Sequence, residues 1–198
     1  MKRFSLILTL AIVLGSCASN AAPPNVKAPD VFKVTLDLST GPVVIQVERD
    51  AAPTGVDRFY NLVQAKFFDG ARFFRVIPGF VVQFGMAADP KVNKAWDVPI
   101  KDDPVKHANM PGTLVFAATS APNSRTTQMF INTGDNSRLD AMGFAPIGRV
   151  LSGMENVMKI NSEYGENPDQ SEIEKSGNAY LTKEFPRLDY IKTARITP

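Results

Sequence analysis

The stretch RFFRVIPGFVVQFG, Arg72 to Gly85, decides how this chain is read. Phe73-Phe74 and Val81-Val82 have the aromatic and β-branched character of strands, and Pro78-Gly79 between them is a turn signal. Two such strands need no cation, yet Arg75 and Gln83 interrupt the apolar runs. An arginine in a strand is usually a solvated edge charge. Here it stands in a unit otherwise built for burial, so it is a candidate for a group aimed at something.

Outward from this unit the chain continues in short strands. Phe32 to Leu38 alternates apolar and polar residues, Gly41-Pro42 makes a turn, and Val43 to Val47 returns as the second arm of a hairpin. A helix is predicted from Pro53-Thr54, with Val56, Phe59, Tyr60 and Val63 at helical spacing and Thr54 or Asp50 serving its N-terminal end. Met86 to Pro111 is a long proline-punctuated segment of little periodicity, of the kind that wraps a surface or carries function. Thr113–Ala118, Gln128–Asn132, Phe144–Val150 and Leu188–Ile196 are further strands, and Gly153–Ile160 is a second short helix. Asn161 to Lys183 reads as polar and irregular. Many short strands with two helices argue for one mainly β domain, a closed antiparallel barrel or a sandwich.

The beginning of the chain is of another kind. Met1-Lys2-Arg3 is a basic start, Phe4 to Leu14 is an apolar run too short to span a bilayer comfortably, and Leu14-Gly15-Ser16-Cys17 follows. Residues 1–17 therefore read as a secretory signal. Cys17, the single cysteine, stands where bacterial lipoproteins carry their lipidated residue; the other reading is ordinary cleavage near Ser19-Asn20-Ala21. Residues 18–30 are rich in Ala, Pro and Asn and read as a flexible tether, leaving 31–198 as the domain. The expected protein is thus exported, periplasmic or at the cell surface, and held to a membrane by lipid at Cys17.

Composition narrows the functions. The full chain has 22 basic and 20 acidic residues, and removal of Lys2 and Arg3 makes the balance zero, so nothing suggests a nucleic-acid footprint. With one His (His107, read as a loop residue) and one Cys, no zinc cluster and no metal is expected. No sustained heptad occurs, and a monomer is expected.

Several motifs then fall in series. Phe73-Phe74-Arg75-Val76-Ile77-Pro78-Gly79-Phe80-Val81-Val82-Gln83 resembles the signature of the cyclophilin family of peptidyl-prolyl isomerases. So does Gln128-Met129-Phe130-Ile131-Asn132 after Ser124-Arg125-Thr126-Thr127. Leu139-Asp140, Gly143 to Val150 and Gly153-Met154 follow in the family's order. The resemblance implies a closed eight-stranded antiparallel β-barrel with two capping helices, and isomerase activity on proline-containing polypeptides without a cofactor. It also gives Arg75 a task. Rotation about an X-Pro amide must break resonance, at a barrier of roughly 18–20 kcal/mol. A guanidinium over the prolyl nitrogen is favoured more in the twisted state than in the planar one, which is the differential binding catalysis requires.

By the same resemblance Gln83 hydrogen-bonds the substrate backbone. Phe80, Met129, Phe130, Leu139 and Phe144 form the apolar pocket for the proline ring, and Thr119 lies where main-chain groups meet an extended peptide. Eukaryotic members carry a tryptophan where this chain has Arg138 and a pocket histidine where it has Phe144, so cyclosporin binding is expected to be weak. A proline-peptide-binding module without turnover is the alternative on the same fold. A lipocalin-type carrier would need an open barrel interior, whereas the large alternating apolar residues predict a filled one.

Overall fold

The computed structural model describes residues 24–197. Eight strands form one antiparallel sheet: β1 (Val31–Leu38), β2 (Gly41–Glu48), β3 (Arg75–Ile77), β4 (Val81–Phe84), β5 (Thr113–Phe116), β6 (Met129–Asn132), β7 (Pro146–Ser152) and β8 (Ile191–Thr197). Their order is β3-β4-β6-β5-β7-β2-β1-β8. The sheet curls so that its two edges approach one another. They are joined not by a ladder between β3 and β8 but by the isolated bridge Arg72–Tyr190 and by backbone bonds linking Gly70, Ala71 and Phe73 to Asp189 and Ile191. The expected closed barrel is therefore an eight-stranded sheet curled on itself, stitched where its edges meet.

Alternation builds the interior. Phe32, Val34, Leu36 and Leu38 of β1 and Val43, Ile45 and Val47 of β2 are buried on the inner face, while their sequence neighbours are not. Edge-to-face pairs among Phe67, Phe68, Phe73 and Phe84, with centroids 5.3–5.6 Å apart, fill one end. Among the described residues the interior is filled by packed side chains, as the large alternating apolar residues predict.

Helix α1 (Pro53–Gln64) closes that end with Val56, Phe59, Leu62 and Val63. Neither Thr54 nor Asp50 caps it. The carboxylate of Asp103, from the long loop, accepts from the backbone N–H groups of Thr54 (3.1 Å) and Gly55 (2.8 Å). The second expected helix is α3, the single turn Met154–Val157.

The expectation of only two helices is corrected. The long loop contains α2 (Pro90–Trp96), started by Asp89, which accepts from Lys91 N–H, and by Pro90 in the first turn. The segment read as irregular contains α4 (Gln170–Ser176), capped by Asp169, and α5 (Asn178–Glu184). A 3₁₀ helix spans Ser137–Met142. Helices α4 and α5 are held through Ile173 and Leu181, which meet Phe74, Met86 and Leu188 in a second apolar cluster. With one fully buried residue in each, they carry no amphipathic stripe for a sequence reading to find.

The described part of the expected tether is also corrected. Val26 N–H donates to Asn61 Oδ1 (3.0 Å), Asn61 Nδ2 donates back to the Val26 carbonyl (2.7 Å), and Ala28 N–H donates to Asp57 (2.8 Å). Residues 26–28 thus lie docked on α1, because two polar side chains on that helix supply the partners that an apolar pattern would otherwise have provided. Cys17 and the signal lie outside the described residues.

Candidate active site

Strand register assembles the site. Arg75 of β3 pairs with Gln83 of β4, Gln83 with Phe130 of β6, and Phe130 with Val115 of β5. These four residues form one row across four strands, and a row shares one face. The neighbouring row, Phe84–Met129–Phe116, faces the other way into the core. The apolar strand positions thus divide into a wall that fills the interior and a wall that faces outward.

On the outward face Val81, Val115, Phe130 and Leu139 form a third apolar cluster, with Phe80, Ala117 and Phe144 packed at its margin. The result is a cleft of about 140 Å³ whose rim includes Arg75 and Gln83 and whose body is Phe80, Phe130, Leu139 and Phe144. Phe130 and Phe144 meet edge to face at 5.9 Å. Phe80 enters from the β3–β4 turn, and its carbonyl accepts from Thr133 N–H (2.9 Å) and Asn136 Nδ2 (2.8 Å). Gly134 is needed beside it, because a Cβ there would strike the Gly79 carbonyl.

Leu139 and Phe144 come from the 3₁₀ segment and its exit, where Gly143 takes the left-handed φ of 82° that ends the turn. A buried amide network fixes this segment. Asn109 Nδ2 donates to Asp140 (2.7 Å) and to the Phe144 carbonyl (2.8 Å), Asn132 Nδ2 donates to Asn109 Oδ1 (3.1 Å), and Asn136 Nδ2 donates to Asn132 Oδ1 (2.6 Å). Asn109, Asn132 and Asn136 are essentially inaccessible, so each unmade bond would be costly. Arg125, paired with Asp102, donates to the Gly143 carbonyl (2.6 Å) and lies 5.6 Å from the Phe144 ring.

Arg75 is half-buried and held from two sides. Its Nε donates to Glu166 (2.5 Å) and its Nη1 to Gln83 Oε1 (3.2 Å), while no bond from Nη2 occurs among the described residues. Its guanidinium carbon lies 5.7 Å from the centre of the Phe80 ring. A donor is thereby presented beside an apolar cleft of the size of a small ring. Arg138 has its guanidinium 4.8 Å from the same Phe80 ring.

Of the residues singled out in the sequence, Arg75, Gln83, Phe80, Phe130, Leu139 and Phe144 come together. Met129 does not. It is fully buried in the interior cluster, as its place next to Phe130 on one strand requires. Thr119 lies one step away, in an adjoining hollow, with its N–H committed to Ser124 Oγ (3.0 Å); Ala117 and Ala118 border the cleft in its place. Gln128 and Glu166 were missed. Gln128 accepts from Gln83 Nε2 (2.8 Å), and alternation along Gln128-Met129-Phe130 was the signal that sets it on the Phe130 side. Nothing local in the sequence marks Glu166, 91 positions from Arg75.

Comparison with known proteins agrees with this arrangement. Residues 32–178 match the family described as cyclophilin type peptidyl-prolyl cis-trans isomerase/CLD. The chain belongs to this family. It is 36% identical over 163 residues to peptidyl-prolyl cis-trans isomerase A of Dickeya dadantii, covering 80% of this chain and 86% of that one. It is likewise 36% identical over 135 residues to peptidyl-prolyl cis-trans isomerase B of Escherichia coli, covering 64% and 82%. Among solved structures, a cyclophilin-type isomerase of Cryptosporidium parvum superposes with a TM-score of 0.65 at 18% identity, over 85% of this chain and 98% of its own. That likeness speaks for the fold alone. By its membership this cyclophilin-type chain is a peptidyl-prolyl cis-trans isomerase.

Proposed function

We propose that the isomerase works through Arg75 and acts on X-Pro bonds of exported polypeptides. The observation that carries the first part is the row Arg75–Gln83–Phe130 above the apolar cleft. The proline ring enters between Phe80, Phe130, Leu139 and Phe144. Gln83, whose amide is oriented by bonds to Arg75 and Gln128, holds the backbone of the substrate. As the amide twists, the prolyl nitrogen regains its lone pair and accepts from the guanidinium of Arg75. That bond is unavailable to the planar amide, so it lowers the barrier instead of merely tightening binding. A rate factor of about 10⁴ requires about 5.5 kcal/mol from these contacts together.

The second part rests on the sequence: a basic start, the Phe4–Leu14 apolar run and Leu14-Gly15-Ser16-Cys17. Lipid on Cys17 would keep the domain at a membrane, where slow prolyl isomerisation limits the folding of exported chains. Intact-mass measurement of the native protein decides this reading. An acyl-modified chain beginning at Cys17 is expected, with Cys17→Ser shifting it to the soluble or uncleaved pool. A mature N-terminus at Ala21 or later, without acyl mass, would overturn the anchor. In the same preparation, the slow refolding phase of an exported protein with a native cis-proline is expected to accelerate at catalytic concentrations of enzyme.

A further inference from the structure

The turn 162–167, between α3 and α4, lies against the edge of the sheet at β3. Val76 N–H, on the side of β3 away from β4, donates to the Gly165 carbonyl (3.1 Å). Within the turn, Gly165 N–H donates to the Ser162 carbonyl (3.1 Å) and Asn167 N–H to the Tyr164 carbonyl (2.9 Å). Its flank is anchored to the segment before β8: Asn161 N–H donates to Asp189 (2.8 Å), and Glu163 accepts from Arg187 Nε (2.7 Å). Tyr164 meets Phe185 edge to face at 5.1 Å and packs on the apolar cluster that contains Phe74. Glu166 follows Gly165, and Arg75 precedes Val76. The bond that pins the backbone of the turn to β3 therefore also brings the Glu166 carboxylate to Arg75, with Nε donating to Oε2 at 2.5 Å.

Without Glu166 the guanidinium would have little to fix it. Its other side-chain bond is the neutral and rather long one from Nη1 to Gln83 (3.2 Å), at the end of a flexible stem. A charge-assisted bond to a carboxylate is roughly twice as strong as a neutral one. Charge works in the same direction. The guanidinium carbons of Arg75 and Arg138 lie 5.7 and 4.8 Å from the centre of one ring, that of Phe80, so two like charges crowd this rim. Among the described residues, Glu166 is the carboxylate that pairs with Arg75.

We propose that Glu166 is a positioning residue for the isomerisation: it holds the Nε edge of Arg75 and so aims Nη2 at the prolyl nitrogen. The proposal deepens the reading of Arg75 given above and rests on it. Glu166 is not part of the lining of the proline cleft, so it acts through Arg75 and not on the substrate. Its side chain is 62% exposed against 25% for Arg75, which keeps the effect moderate.

The test is a double-mutant cycle on the whole domain, read by the catalysed exchange rate and the Kd of a short Ala-Pro peptide. Glu166→Ala is expected to lower the exchange rate by about fivefold and to change Kd by less than about twofold. Glu166→Gln, which keeps an acceptor oxygen, should fall between Ala and the parent. In an Arg75→Ala background Glu166→Ala should cost nothing further. A merely structural role would not give that result, and melting temperatures confirm that each variant folds. The Nε–Hε NMR signal of Arg75 supplies a second readout: downfield in the parent, and at the position of free guanidinium groups in Glu166→Ala. Unchanged exchange in Glu166→Ala, or the same fivefold loss with Arg75 already absent, would overturn the proposal. Failure of the underlying reading looks different: Arg75→Ala itself then leaves exchange intact, while the Nε–Hε signal still reports whether Glu166 holds the guanidinium.

Discussion

At the scale of single residues, what could be read from the sequence was the outward half of an alternating pattern. Arg75, Gln83 and Phe130 face one way because strand register puts them in one row, and all three were identified from their motifs. Met129 was assigned to the same pocket although it adjoins Phe130 on one strand, and the pleat sends it inward. Motif membership is no substitute for period-two geometry. Partners distant in sequence, such as Glu166 on Arg75, had no local signal.

Asp69 shows the same limit and yields a prediction. Burial alone would raise its carboxyl, but two bonds from Arg195 (2.8 and 2.7 Å) and one from Ala194 N–H (3.1 Å) outweigh that and hold it below the ordinary aspartate range. A carboxyl depressed by folding contributes stability that is present above its unfolded pKa and lost as pH falls through the folded one. Asp69→Asn should therefore be less stable than the parent at neutral pH, by at most about 1 kcal/mol given the exposure of the pair. The difference should narrow below about pH 4. Denaturant titrations between neutral pH and pH 2 check this, and a gap independent of pH would contradict it.

At the scale of elements, the strands were legible because each alternates or is densely apolar between turn signals. The helices were legible only where an apolar stripe exists, as in α1 with Val56, Phe59, Leu62 and Val63. Helices α2 and α4 depend on the side-chain caps Asp89 and Asp169, and α2, α4 and α5 each on a single buried anchor, so their chemistry is scattered over the sequence. The start of α1 belongs with them, since its cap comes from Asp103, about 50 positions away. Asp103→Ala is expected to cost about 1 kcal/mol, which for a domain of this size lowers the melting temperature by about 2–4 °C. Asp50→Ala, at the position the sequence suggested, should stay within about 0.5 kcal/mol. Calorimetric melts of the two variants compare them directly, and the reverse ranking would restore the local cap.

At the scale of the whole molecule, the fold class followed from counting strands, whereas the manner of closure did not. The edges meet through one bridge and a few backbone bonds around Gly70–Phe73 and Asp189–Ile191, residues that carry no pairing code of their own. Curling the sheet has a functional consequence. It packs one face of β4, β5 and β6 as core and leaves the other face, supported from behind, to hold a rigid cleft with a cation at its rim. Rigidity matters because a guanidinium held in place beforehand requires little reorganisation when the amide twists. The central claim is that this one group discriminates the twisted amide from the planar one. Exchange NMR on a short Ala-Pro peptide, with enzyme at catalytic concentration, tests it most directly. The parent domain should give strong cis–trans exchange cross-peaks, and Arg75→Ala should lower the catalysed exchange rate by about 10²-fold while the peptide still titrates with a similar Kd. Undiminished exchange in a folded Arg75→Ala variant, or loss of binding in step with loss of exchange, would contradict the account.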